Sequence, residues 1–497
     1  MTLCNAFSGL QRRLPRRSLP RRKRESLGST IAARMYSKHA LKAFVPYMSV
    51  SQITLIMWLI LTRDKDSHSH LALFLLWSST IYYHKAVSVL QLDSDLMDVP
   101  EGTESGYSVP LKDEKDITLR KYQNDDQCQD DTRFTRGEIL QILDALNLPE
   151  YIRVVYDFEP YTLKPKCYKF HRESLFIYML RHFATGAFHK QLVDHEFGGD
   201  QKRWGCGYNW MVFYLDHRFR DLIGPQGLSL WVHEFAYFAE VIRKHLMKPK
   251  ERRSERTGHR RIRDMGEFYI PPGTFNVFSI TDCTVYEICR PGSGPANEDA
   301  PSRRGDWYIK QRTYYDGYHR AFQACVKILT IILPNGLTGA VYGPTPGRME
   351  DKTLFRMAQF DDYLRDLCVD NNLDGLYCTY GDSIFAGHWY CLRTQHEPAP
   401  GLPLTECQKA ENKNMKTVRQ AIEFSYARAE QLWPYLNKKD DKKLEGIHTK
   451  VAAEVRVMYL LTNFKVCCSE GNTWTGERGL ECVPPSLEKC LAMNPNE

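Results

Sequence analysis

Apolar side chains recur every three or four positions between residues 133 and 247, and this spacing predicts helices. Three of them are expected at 173–185, 190–197 and 209–219, separated by turns that contain glycine. Short helices in this arrangement are typical of a helix-turn-helix bundle, although a purely structural three-helix domain gives the same pattern. We therefore predict an all-α, helix-turn-helix-like region over 133–247, and the ten Lys and Arg at 243–263 favour DNA binding over a purely structural role for it.

After residue 267 the pattern changes to that of β-strands with intervening helices. The predicted elements are, in order, the strands 275–280, 322–333 and 337–342, the helix 351–369, the strand 376–380 and the helix 413–436. Asn335-Gly336 separates the second and third strands and predicts a hairpin, because tight hairpin turns favour residues that accept positive φ. This part of the chain is expected to form an α/β domain.

Acidic residues occupy the ends of these predicted elements. Asp282 follows the first strand, Asp382 follows the last strand, and Glu423 lies inside the last helix. An RNase H-like mixed sheet gathers acids in this order, since neighbouring strand ends bring distant residues together. Two divalent cations held by such carboxylates can drive phosphodiester cleavage. The three acids are therefore candidate metal ligands, although a single Asp after a strand is more often a turn residue.

The region ahead of the helices divides into a hydrophobic segment and an acidic one. Residues 41–92 include two uncharged stretches near the length that crosses a bilayer, but only about a dozen residues in each are consistently apolar. Packed helices are preferred to a membrane hairpin, so membrane association is not expected. Residues 93–132, rich in Asp and Glu, predict a solvated linker, and the folded body is expected to start near Phe134.

Composition agrees with a globular protein. With 43% hydrophobic and 26% charged residues, the chain is neither a disordered tail nor a collagen nor a polytopic membrane protein. Its 497 residues suggest about three folding units at a typical ~150 residues each. The 15 cysteines lack the regular spacing of a disulfide scaffold, which favours a reducing compartment.

The net charge of +7 is concentrated at the N terminus. Residues 1–40 hold ten Lys and Arg against one acid, and Pro15 and Pro20 interrupt the run QRRLPRRSLPRRKR. Because proline excludes a long helix there, we expect a mobile basic arm. It is typical of a nuclear import signal or a nucleic-acid contact, while a mitochondrial transit peptide or an incidental solvated run remains open. The nucleus is the expected location; a mitochondrion, or a membrane reached through residues 45–84, is the alternative.

A second basic stretch joins the helical and strand-rich regions. Residues 243–263 hold ten Lys and Arg against two Glu, a density that suits contacts to DNA phosphates. The candidate DNA-binding residues of this linker, 248–266, are Arg252, Arg253, Arg260 and Arg261.

Four segments in this order resemble the DDE endonuclease domain of PIF/Harbinger-type transposases. They are SITDCTVYEICRP at 279–291, the run from YYDGYHR to EDKTLF at 314–355, YGDSIF at 380–385 and MKTVRQAIEFSYARAEQLWPYL at 415–436. The resemblance covers roughly residues 275–465, and the helical segment at 180–198 is similar, less specifically, to the region that precedes this domain in the family.

The resemblance implies an RNase H-like DDE domain over 267–465, with a tail at 466–497, and a metal-dependent nuclease that cleaves and joins DNA phosphodiesters. It implies Mg²⁺ or Mn²⁺ as cofactor, double-stranded DNA as substrate and a separate Myb-like partner for targeting. The alternative is a domesticated, catalytically silent DNA-binding protein derived from such a transposase. GPTPGR lacks the Lys-Ser/Thr ending of a P-loop, so no nucleotide cofactor is expected.

Carried over by motif, the resemblance implies Asp282, Asp351 and Glu423 as the three catalytic acids, with Asp382 as an additional metal-site acid. Chain topology instead favours Asp382 as the partner of Asp282, because Asp382 ends the strand expected beside the first one. All four acids are therefore candidate metal ligands, and the choice of the second catalytic acid stays open.

Two arginines near these acids are candidate phosphate contacts. Arg419 lies one helical turn before Glu423, where it could hold a phosphate or pair with the carboxylate. Arg348 stands in a glycine- and proline-bounded turn ahead of Asp351. Glu350 and Ser425-Tyr426 depart from the residues common in the family, but neither change removes a candidate acid.

Overall fold

The computed structural model describes residues 118–158, 165–247, 276–289, 313–315, 324–398, 402–439, 442, 450–469 and 482–493. Several sequence predictions lie outside these residues: the basic arm at 1–40, the hydrophobic segment at 41–92, the first part of the acidic segment, and the basic linker at 248–266. Within the described ranges no helix combines the length and the apolarity needed to cross a bilayer.

The folded body begins ahead of the predicted boundary near Phe134. A 3₁₀ turn at Leu119–Lys121 and a helix α1 at Asp125–Thr132 occupy part of the expected acidic linker. The backbone N–H of Leu119 donates to the carboxylate of Glu173 at 3.1 Å, which fixes this segment to a later helix. Acidic side chains in the first turn of α1 favour the helix through its dipole, so local acidity does not mean a linker here.

Among the described residues, six further helices precede the large sheet. They are α2 (Arg136–Ala145), α3 (Arg172–Thr185), α4 (His189–Leu192), α5 (Gln201–Arg218), α6 (Arg220–Ile223) and α7 (Phe235–Met247). A π-helical turn, Val193–Phe197, continues α4, and a 3₁₀ segment, Pro225–Glu234, leads into α7. The helices predicted from apolar spacing are present.

This region is not all-α as predicted, because it also contains a two-stranded antiparallel hairpin. Its strands are β1, Tyr151–Phe158, and β2, Pro165–His171. Ile152 and Val154 are buried while Arg153 is exposed, the period-two alternation of a strand with one covered face. The helical spacing of the flanking segments had hidden this short alternation.

Five strands form the large mixed sheet. They are β3 (Val277–Glu287), β4 (Cys325–Ile332), β5 (Thr338–Pro346), β6 (Cys378–Tyr380) and β7 (Leu392–Arg393). The strand order is β5-β4-β3-β6-β7, with β3, β4 and β5 antiparallel and β6 and β7 parallel to β3. The central strand is therefore the one that carries Asp282.

The hairpin predicted at Asn335-Gly336 joins β4 to β5. Gly336 takes a positive φ of 83°, and the amide of Leu333 donates to the carbonyl of Leu337 at 2.9 Å. The side chain of Asn335 accepts from the Leu337 amide at 3.2 Å, which closes the turn. The local residue chemistry thus sets the pairing of these two strands.

The predicted helix at 351–369 is two helices, α8 at Asp351–Met357 and α9 at Phe360–Asp370. Gln359 between them has a left-handed φ of 56°, which interrupts the helical hydrogen bonding. The late helix α10, Glu406–Leu432, starts earlier than predicted because Thr405 and Gln408 form a capping box.

A helix that the sequence reading did not identify packs beneath the sheet. This helix, α11, spans Ala452–Cys468 and is buried on all sides, so it lacks the apolar stripe of a surface helix. A short helix α12, Leu487–Ala492, follows it. On β3, Phe278 stacks on Phe235 of α7 with ring centroids 3.8 Å apart, so helices cover the sheet and hold its central strand.

Candidate functional site

Asp282 and Asp382 each lie two positions beyond the last paired residues of the neighbouring parallel strands β3 and β6. The register pairs Ile280 of β3 with Tyr380 of β6. Asp282 comes two positions after Ile280, and Asp382 comes two positions after Tyr380. Asp282 is not terminal as predicted, because β3 continues to Glu287 and pairs Asp282 with Thr330 of β4. It stands where the pairing between β3 and β6 stops, which leaves its side chain at the opening between the two strands.

The guanidinium of Arg419 lies among three of the four candidate acids. Its Nη1 is 3.0 Å from Oδ2 of Asp282 and 3.6 Å from Oδ2 of Asp382. Its Nη2 is 3.5 Å from Oε1 of Glu423, one helical turn further along α10. The structure therefore brings Asp282, Asp382 and Glu423 together around one positively charged group.

Asp351 is held separately, by a lysine. It is the first residue of α8, and its Oδ1 accepts from Nζ of Lys327 at 2.6 Å. The same ammonium also donates to the carbonyl of Met349 at 2.8 Å. Asp351 is close enough to Asp282 to raise its pKa, so it borders the other three acids while its own charge is matched by Lys327.

Burial makes Asp282 an unusual carboxylate. It raises the pKa of Asp282 to about 6, against the opposing effects of the Cys283 amide and of Arg419, and the nearby Asp382 and Asp351 raise it as well. With its pKa at about 6, this carboxyl is ionised at pH 7 and becomes protonated only as the pH falls through 6. The site therefore favours an added cation in electrostatic terms.

A buried tyrosine fixes the backbone beneath the acids. The hydroxyl of Tyr426 on α10 donates to the carbonyl oxygen of Asp282 at 2.7 Å and is 2.7 Å from the hydroxyl of Thr330. Arg419, Glu423 and Tyr426 are spaced i, i+4, i+7, so they share one face of α10. This face joins the helix to β3 and β4.

Sequence reasoning missed Tyr426 and Lys327, although signals for both exist. The i, i+7 spacing from Arg419 places Tyr426 on the face of the late helix that was already under consideration. Lys327 is the single charged residue in the otherwise uncharged strand Cys325–Ile332, and a lone charge in a buried strand calls for a partner.

The other candidate phosphate contacts are less informative. Arg348 is exposed in the turn between β5 and α8. The four linker arginines, Arg252, Arg253, Arg260 and Arg261, lie outside the described residues.

Two cavities open beside the acids. The smaller, of about 240 Å³, is lined by Tyr380, Gly381, Asp382, Gln395, Lys416 and Arg419. The larger, of about 750 Å³, shares Tyr380 and Gln395 with it and extends along the segment 387–396 towards the start of α10. The larger cavity is therefore a neighbour of the one that contains Asp382 and Arg419.

The fit of a divalent cation depends on the oxygens and on their spacing. Carboxylate oxygens are the ligands that Mg²⁺ and Mn²⁺ prefer, so the chemistry of the donor set fits. In the part of the chain that the structure describes, however, no three His, Cys, Asp or Glu side chains are spaced to hold a metal ion. Since Arg419 lies between the carboxylates, a bound cation would have to replace its head group.

Comparison with known proteins places this site inside a recognised domain. Residues 281–463 match the family model described as DDE superfamily endonuclease, a range that contains all four acids, Arg419 and Tyr426. A search of curated proteins and a search of solved structures found no match. The family match indicates a transposase or nuclease domain, and such domains act on DNA.

Proposed function

From the match of residues 281–463 to the DDE superfamily endonucleases, we propose that the protein is a metal-dependent DNA endonuclease of the Harbinger transposase type, which cleaves DNA phosphodiesters and joins DNA ends. One observation carries the proposal. Asp282, Asp382 and Glu423, separated by up to 141 positions in the chain, meet within 3.6 Å of the Arg419 guanidinium.

We assign Asp282, Asp382 and Glu423 as the three catalytic acids. Asp382 adjoins Asp282 through the parallel register of β3 and β6, whereas Asp351 forms an ion pair with Lys327 at 2.6 Å. This assignment favours the topological alternative over the motif-based one for the second acid. Asp351 then acts as a neighbouring negative charge that raises the pKa of Asp282.

The chain's own groups account for orientation at the site. Lys416 and Arg419 line the small cavity beside Asp382 and are placed to contact the oxygens of a scissile phosphate. Tyr426 holds the Asp282 backbone against α10, which keeps the acids from drifting apart. A divalent cation bound by the three acids would supply positive charge at the phosphate and lower the pKa of the attacking water.

The test is cleavage of DNA by the purified full chain with Mg²⁺ or Mn²⁺. We expect Asp282→Asn and Asp382→Asn each to lower the cleavage rate by at least about 100-fold, since each removes a carboxylate from the reacting centre. Asp362→Asn serves as the matched control, because this exposed acid of α9 pairs with Arg365. Full activity of Asp282→Asn, with an unchanged melting temperature, would refute the proposal.

A catalytically silent DNA-binding protein is the second candidate, and the ion pairs favour it. Arg419 and Lys327 each form ion pairs with these acids without a metal, as they would in a site that no longer binds one. Calorimetric titration separates the candidates: intact DNA affinity without Mn²⁺ binding at millimolar concentration would support the silent form.

The remaining parts of the proposal concern location and partners. The basic arm at 1–40 and the basic linker at 248–266 support a nuclear protein that contacts double-stranded DNA. A Myb-like targeting partner is proposed from the resemblance to Harbinger-type transposases alone. Co-purification from nuclear extract with the full chain, compared with a chain that lacks residues 1–40, tests both points.

A further inference from the structure

The larger cavity next to the acids has the properties of a binding groove. It measures about 750 Å³, within the range of sites that hold small organic ligands, and it shares Tyr380 and Gln395 with the small cavity at Asp382. Duplex DNA, whose major groove alone is about 12 Å wide, is too large for it, whereas one or two nucleotides of a single strand fit. The groove is therefore sized for an unpaired segment.

Aromatic side chains form part of the groove. Tyr390 is 58% exposed, and its ring lies under the guanidinium of Arg365 at 5.0 Å. Trp389 next to it is anchored by its Nε1, which donates to the carbonyl of Phe385 at 2.7 Å. Rings in such fixed positions are the surfaces on which unpaired bases stack.

The groove also presents positive charge. Arg393 and His388 line the groove and are exposed. Lys416, also exposed, lines the small cavity beside it. Glu411, the acid in the lining of the larger cavity, pairs with His396 at 2.8 Å. Arg393 in the groove and Lys416 in the small cavity therefore offer two exposed positive charges that complement a phosphate backbone.

Hydrogen bonds hold the walls of the groove in place without a ligand. Asp361 of α9 accepts from the amides of Tyr390 and Cys391 at 3.1 and 2.7 Å. Further along the groove, Asn412 of α10 bonds both the amide and the carbonyl of His396, at 2.7 and 2.9 Å. Both parts of the groove are thus attached to helices, which lowers the entropy lost on binding.

We propose that this groove binds an unpaired DNA strand that leads to the scissile phosphate, with a base stacked on Tyr390 and phosphates at Arg393 and Lys416. The proposal rests on the proposed function, because it takes the acids as the place where the strand is cut. It adds the requirement that the duplex be opened next to the cleavage point. The substrate class is therefore DNA with an unpaired flank.

The test measures binding by the full chain in EDTA, so that no cleavage occurs. Fluorescence anisotropy would compare a labelled hairpin duplex with the same hairpin carrying a six-nucleotide single-stranded flank. We expect the flank to tighten binding at least about fivefold, and Tyr390→Ala to remove this gain, as loss of one stacked base predicts. Tyr390→Phe should keep the gain in affinity from the flank. Arg393→Gln should reduce that gain and should make flank binding less dependent on salt concentration.

A matched control is Tyr151→Ala, because Tyr151 is a similarly exposed tyrosine, at 47%, on the separate hairpin. Equal affinity for both hairpins, or a flank effect that survives Tyr390→Ala, would overturn the proposal. Displacement of the flank by poly-glutamate more readily than by oligothymidylate would also overturn it, in favour of an acidic peptide. Flank binding without Mg²⁺-dependent cleavage would support the groove proposal and refute the nuclease proposal. Mg²⁺-dependent cleavage without a flank effect would support the nuclease proposal and refute the groove proposal.

Discussion

At the scale of single residues, Arg419 decides the state of the site. Its guanidinium contacts one acid from β3, one from the end of β6 and one from its own helix, at 3.0, 3.6 and 3.5 Å. The sequence could predict its pairing with Glu423 from i, i+4 spacing alone. The contacts of Arg419 with the two aspartates could not be predicted in this way, because they depend on the register between β3 and β6.

Arg419→Gln should raise the affinity of the site for Mn²⁺ by about tenfold. The change removes a positive charge that competes for the same carboxylates, while glutamine keeps a polar side chain of similar reach. Calorimetric titration of the full chain with Mn²⁺ measures the effect, and Arg365→Gln on α9 is the control. If Mn²⁺ binds both forms equally, Arg419 does not occupy the cation position.

At the scale of elements, residue chemistry predicts strands and turns better than it predicts their limits. The Asn335-Gly336 turn was readable because its geometry is local. The extension of β3 past Asp282 was not, since it is stabilised by pairing with β4 across a long connection. The hairpin of β1 and β2 was obscured by the helical spacing around it, and α11 lacks a stripe because every side is covered.

The joint between α10 and the sheet depends on Tyr426. Tyr426→Phe keeps the ring but removes a hydroxyl that bonds the Asp282 carbonyl and the Thr330 hydroxyl, both at 2.7 Å. We expect a loss of about 1–3 kcal/mol in the free energy of unfolding, because the Thr330 hydroxyl is buried. Urea denaturation measures it, with Tyr390→Phe at an exposed position as the comparison.

The same change should lower the DNA cleavage rate even where the protein remains folded. The Asp282 backbone loses its hydrogen bond to the helix that carries Glu423, and small displacements of catalytic groups slow reactions strongly. Unchanged stability and unchanged cleavage together would mean that this hydrogen bond does not position the acids.

At the scale of the whole molecule, the helical region and the sheet region share one interior. On α5, Tyr208 donates to the buried carboxylate of Glu454 at 2.8 Å, and on α2, Glu138 accepts from Lys465 at 2.7 Å. Both partners lie on α11, the helix beneath the sheet. Such long-range pairs cannot be read from periodicity, because they join residues more than 200 positions apart.

The strongest of these links predicts that the two regions unfold together. Asp216 of α5 is 5% exposed and accepts two hydrogen bonds from Arg456 of α11, at 2.6 and 2.8 Å. Asp216→Asn removes the charge that compensates Arg456, and breaking such a buried pair costs about 3 kcal/mol or more. Denaturation can be followed by far-ultraviolet circular dichroism, which reports helices, and by tryptophan fluorescence. The unfolding midpoint of Asp216→Asn should shift by the same amount in both signals.

The double variant Asp216→Asn with Arg456→Met separates the ion pair from general damage. Replacing Arg456 by Met removes the positive charge that Asp216→Asn leaves unpaired. The second change should therefore recover part of the stability lost in the first. An additive loss in the double variant would mean that the pair contributes little. Two separate transitions in the unmodified protein would mean that the helices and the sheet are independent folding units, and that the acids of the site do not depend on the helical region for their placement.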